Sequence, residues 1–198
     1  MIKKHKKMGN INRLELPQEI KDRVVLKNIK LGIGHDLAGM FCDIWLDKKN
    51  IGYYNNDGWG GEADIHISKE SEQKLLQLLQ AHNWRSRMYN ELGWNFYENE
   101  SKISDHSVIE SLIEHLTDEK QKEKVYKKIA KQSEKEILWG LWDNYTRSGF
   151  KGGLSLEQMV RVYGVQKMQQ FIDNQIKTKL QEGQEILNTN FEDLGLKK

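Results

Sequence analysis

Met40-Phe41-Cys42-Asp43-Ile44-Trp45-Leu46-Asp47 sets apolar Met40, Cys42, Ile44 and Leu46 alternately with Phe41, Asp43, Trp45 and Asp47. A period of two belongs to a strand, where successive side chains point to opposite faces of a sheet. The polar run Asp47-Lys48-Lys49-Asn50 then reads as a hairpin turn, and Ile51–Tyr54 as the returning strand. Upstream, Arg23–Ile33 is a further strand: Lys27-Asn28 separates Val24 and Leu26 from Ile29, Leu31 and Ile33, which predicts a bulge. Downstream, Ala63, Ile65 and Ile67 alternate with Asp64 and His66. Residues 23–67 are therefore expected to form a small antiparallel sheet of three or four strands.

From Ser71 the period changes. Leu75, Leu76, Leu78 and Leu79 predict an amphipathic helix to His82, closed by Trp84, with Arg85–Ser101 irregular. Ser104 has the position of an N-cap for a helix carrying Val108, Ile109, Leu112, Ile113 and Leu116, and Asp118 that of a cap for a second helix, Glu119–Glu136. Ile137–Trp142 reads as a buried strand and Asp143–Gly153 as a linker. Ser155 and Gln158 have capping-box spacing before a helix that Gly164 ends. Val165–Gln181 is a further helix, Gly183 ends it, and Glu185–Leu187 returns as a short strand. The fold class is α+β: one small antiparallel sheet, joined by the strand near 137–142, packed with several helices. Residues 1–12 read as a disordered basic arm and 13–198 as a single domain, with the sheet at 23–67, a helical region at 71–136 and a strand-helix part at 137–198. Trp45, Trp139 and Trp142 are expected in the core.

The 198 residues are 30% charged and 37% hydrophobic, polar for a folded domain, but six Trp, seven Tyr and five Phe supply packing material that disordered chains lack. A lone Cys42 excludes an internal disulfide, fits a reducing compartment, and in a strand-like run reads as a buried structural thiol. No apolar stretch approaches the roughly 20 residues of a membrane span. The basic start Met1–Lys7 lacks the apolar core of a signal peptide, so a cytoplasmic location is expected. The net charge of +2 conceals asymmetry: residues 1–30 hold nine basic and three acidic side chains, residues 31–100 six and eleven.

Chemistry-bearing residues gather in three places. The loop Asn55-Asn56-Asp57-Gly58-Trp59-Gly60-Gly61-Glu62 combines backbone freedom with an aromatic and carboxylates, and Asp57, Trp59, Glu62 and Asp64 are candidate partner contacts. Asp57, Glu62, Asp64 and His66, with His35 and Asp36, also raise a metal-dependent hydrolase, since residues 64 and 66 share a strand face. No nucleophile elbow, His pair or Cys spacing accompanies them, and neither an enzyme nor a cofactor is expected. Trp84-Arg85-Ser86-Arg87-Met88-Tyr89 interleaves basic and aromatic side chains, which suit a protein hot spot or a nucleic-acid strand, and adds Trp84, Arg85, Arg87 and Tyr89 as contacts. Tyr145–Lys151 has a similar composition. Lys3, Lys4, Lys6 and Lys7 of the basic arm are the candidate phosphate contacts of a nucleic-acid-binding alternative.

The stretch from Leu26 to Ile67 resembles small phage and prophage accessory proteins that carry a strand, a hairpin and an Asn-Asp-Gly-(aromatic or His)-Gly-Gly loop. Asn56, Asp57, Gly58, Trp59, Gly60 and Gly61 carry the match, and Glu185–Asn190 after a long helix adds to it. Trp59 stands where many such proteins have His. The chain is also similar in style to anti-CRISPR inhibitors from Bacteroidota mobile elements. The resemblance implies a non-enzymatic protein of a bacterial host cell that inhibits a CRISPR effector nuclease by protein contact, with direct RNA contact possible. Its oligomeric state is open.

Overall fold

A computed structural model describes residues 15–33 and 39–198. The expectations for the basic arm at 1–12, Lys3, Lys4, Lys6 and Lys7, and for His35 and Asp36, lie outside the described residues. The fold is α+β: among the described residues, six α-helices accompany antiparallel sheets of four and three strands. The chain taken as one domain groups into two compact units, Met1–Asp118 and Glu119–Lys198, each with its own apolar cluster.

In the first unit, Pro17 opens helix α1 (Gln18–Arg23), which leads into the strands β1 (Val24–Ile33), β2 (Gly39–Leu46), β3 (Lys49–Asn56) and β4 (Asp64–Ile67), hydrogen-bonded in that order. The bulge falls where the pattern places it: the β1–β2 register shifts between Lys27 and Lys30, and Asn28 has φ 51°. The hairpin turn is tighter than expected. Asp47 and Lys48 alone make it, with φ 48° and 67°, a mirror-type turn matching the right-handed twist of the strands. Arg23 braces it, Nε donating to Asp47 Oδ1 at 2.8 Å and Nη2 to Oδ2 at 2.9 Å.

The face holding Val24, Leu26, Met40, Cys42, Ile44, Leu46 and Tyr54 is buried against α2 (Lys69–Ala81), α3 (Trp84–Glu91) and the start of α4 (Asp105–Ser133). Each aliphatic side chain so buried contributes roughly 1.5–3 kcal/mol. The segment after Trp84, expected to be irregular, is helical through Glu91, because Trp84 and Met88, one turn apart, are both fully buried. Ser104 caps α4 as expected, its Oγ accepting from Ser107 N at 3.0 Å. Asp118 starts no new helix. Residues 105–133 contain neither Gly nor Pro, so nothing interrupts the backbone ladder of α4, which serves unit 1 through Val108–Leu116 and unit 2 through Ile129.

The second unit corrects the expected sheet. The strand near 137–142 forms, as β5 (Ile137–Leu141), but not in the N-terminal sheet: it lies between β6 (Asn144–Ser148) and β7 (Glu185–Ile186). Strand β6 occupies the expected linker, where Tyr145 is the lone large apolar residue to signal it. Helix α5 (Leu156–Tyr163) has the predicted capping box at Ser155 and Gln158, and Gly164 ends it. Helix α6 (Val165–Gln175) stops short of 181: the β-branched Ile176 and Thr178 favour tightening into a short 3-10 turn, Lys177–Lys179. Trp139 is core as expected, whereas Trp142 and Trp45 are only half-buried. No helix among the described residues is long and apolar enough to cross a membrane.

Candidate functional site

Two successive side-chain turns shape the loop between β3 and β4. Asn56 Oδ1 accepts from Gly58 N and Asp57 Oδ1 from Trp59 N, each at 2.9 Å. Gly58 has φ 77°, and a Cβ there would sit 2.8 Å from Gly39 N, so the loop is pressed against the start of β2. Trp59 is then presented outward, 68% exposed. Asp57, Glu62 and Asp64 are exposed around it while Ala63 is buried. Glu62 faces His106 of α4 at 3.6 Å.

The other predicted contacts separate from this group. Trp84 is fully buried, which removes it from the surface, and its ring meets His115 edge-on at 5.2 Å. Tyr89 is half-buried against the same core. Arg85 donates to the Ile103 carbonyl and the Asp105 carboxylate. Arg87 donates to the Glu15 carbonyl at 2.9 Å and lies 5.4 Å from the Trp84 ring. This basic-aromatic segment clasps unit 1 together through its interior-facing and paired side chains. Arg147 in the similar Tyr145–Lys151 segment lies 3.8 Å from Glu136, and Tyr145 donates to Gln132 at 2.8 Å.

Asp64 and His66 share the outer face of β4, as the alternation requires, yet they build no metal site. His66 stacks on Tyr53 at 5.1 Å, and among the described residues no three His, Cys, Asp or Glu side chains gather to hold an ion.

The sequence reading missed the outer face of the four-stranded sheet. Phe41 stacks on Tyr53 at 5.9 Å, Lys27 Nζ lies 3.4 Å from the Trp45 ring centre and Lys30 Nζ 5.8 Å from that of Phe41. The signal was present: Phe41, Asp43 and Trp45 occupy the odd positions of the strand whose even positions form the core. Trp45 was assigned to the core on its size alone.

No protein family's sequence profile matches this chain, and no curated protein or solved structure matches it either.

Proposed function

We propose that this is a non-catalytic binding protein whose docking element is the loop between β3 and β4. The observation that carries the reading is the 68% exposure of Trp59 on a loop braced by two side-chain turns and ringed by Asp57, Glu62 and Asp64. A large aromatic held in place loses little entropy on docking, and an acidic surround favours a basic surface on the partner. Basic channels that hold RNA have that character. With the phage-protein resemblance, this makes a CRISPR effector nucleoprotein in the bacterial cytoplasm the partner we favour, with inhibition by protein contact. The test is a binding titration against a guide-loaded effector, together with its target-cleavage rate. The wild type should bind and slow cleavage, and Trp59→Ala should weaken both by about tenfold or more. Wild-type protein that leaves a panel of effectors unbound and fully active sinks the assignment.

A second reading is favoured by Lys27 and Lys30 beside the Trp45 and Phe41 rings: a single nucleic-acid strand on the open sheet face. Anisotropy with an RNA oligomer of about 20 nucleotides separates the two, because only this reading predicts direct binding that weakens steeply with salt.

A further inference from the structure

Apolar exposure in the second unit is concentrated on one helix pair. Val162 (65%), Tyr163 (52%), Val165 (41%) and Phe171 (40%) are all exposed within ten residues of α5 and α6. Between the helices opens a concave pocket of about 210 Å³, lined by Phe150, Met159, Tyr163, Lys167, Met168 and Phe171. Its walls are aromatic rings and two methionines, side chains that adapt to an inserted apolar group. Its volume suits one large side chain.

The charges at its edge are one-sided. Between residues 150 and 171 the basic side chains are Lys151, Arg161 and Lys167, and the sole acid is Glu157. Arg161 engages that acid at 3.1 Å, so Lys151 and Lys167 set the sign a visitor meets. A second copy is disfavoured by this charge, because a two-fold contact through α5 and α6 would bring the same lysines together. The chain's own basic N-terminus is disfavoured for the same reason. A lipid surface calls for a flat or convex apolar face, and this one is concave.

We infer that the α5–α6 pocket is a docking site for an acidic amphipathic helix, which inserts one large apolar side chain and sets its carboxylates against Lys151 and Lys167. The inference does not rest on the loop around Trp59.

The probe is a synthetic amphipathic peptide of about 18 residues, with Leu and Phe at i, i+3, i+4 and i+7 and Glu at the remaining positions. A counterpart carries Lys in place of Glu. Each is titrated into the full chain labelled at its methionine methyls and followed by NMR. The acidic peptide should shift the Met159 and Met168 methyls with micromolar affinity, at least about tenfold tighter than the basic one. Phe171→Glu should abolish the shifts, and Lys167→Glu should invert the preference. Both positions are exposed, and unchanged thermal melts would show that the variants fold. Equal affinity for both peptides, silent Met159 and Met168 methyls, or binding to anionic phosphatidylglycerol vesicles instead of the peptide would each overturn the inference. So would a dimer by sedimentation whose dissociation alone moves those two methyls.

Discussion

The Tyr54 hydroxyl donates to Glu110 Oε1 at 3.3 Å, tying the core face of β3 to the first half of α4, while Asn56 Nδ2 donates to the same hydroxyl at 3.5 Å. Tyr54 is 1% exposed, and burial, with the Glu110 and Glu114 carboxylates adding to it, raises its pKa well above the ordinary phenol value of about 10. Because the folded state resists ionisation, the unfolded chain releases this proton first as pH rises. Stability is therefore full below about pH 10 and declines above it. Urea unfolding between pH 8 and 11 should show this decline, and Tyr54→Phe should flatten it while costing about 1 kcal/mol at neutral pH. A variant with the wild-type alkaline slope would mean that another group sets it.

Trp59 and Trp84 should behave as opposites. Trp84→Ala empties a fully buried position and should lower stability by about 3–5 kcal/mol. Trp59→Ala should change it by less than about 0.5 kcal/mol, since the ring stands outward. Chemical denaturation of the two variants side by side decides which tryptophan is structural.

In the second unit, Asn188 is fully buried and holds three backbone groups at once. Its Oδ1 accepts from Leu138 N at 2.7 Å, and its Nδ2 donates to the Glu136 carbonyl at 2.8 Å and the Ser133 carbonyl at 3.3 Å. This gives the Glu185–Asn190 stretch a structural role, locking the end of α4 to β5. Asn188→Leu strands those groups and should cost roughly 3 kcal/mol, at about 1–3 kcal/mol for each buried group left unpaired. Loss of less than about 1 kcal/mol by calorimetry would refute the clasp.

The loop glycines should not be equivalent. Gly58→Ala places a Cβ against Gly39 N in a left-handed backbone and should destabilise by about 1–2 kcal/mol. At Gly61 a Cβ meets nothing within 4 Å, and the backbone is not left-handed, so Gly61→Ala should be silent in thermal melts. Equal effects at both positions would mean that the loop is not anchored through Gly58.

Local pattern was enough for much of this chain. Period-two alternation on Met40–Leu46, the Lys27-Asn28 interruption and the Ser155/Gln158 box each depend on neighbours a few residues apart, and each element appears where its pattern lies. The exposed loop residues Asp57, Trp59, Glu62 and Asp64 were legible for the same reason, since glycines and short polar side chains define a turn locally.

Tertiary contact decided the rest. Alternation tells which residues of β2 share a face but not which face meets helices, and so Trp45 went to the open side. Basic-aromatic spacing cannot distinguish a surface from a clasp: Trp84 and Met88 are buried because α3 lies on the sheet, and Arg85 and Arg87 are consumed by partners distant in sequence. The pairing of β5 with β6 and β7, away from the N-terminal sheet, comes from contacts nearly fifty residues apart, such as Trp139 with Ile186. Local propensity carries no information at that range, and only burial of shared apolar surface selects the partner strand.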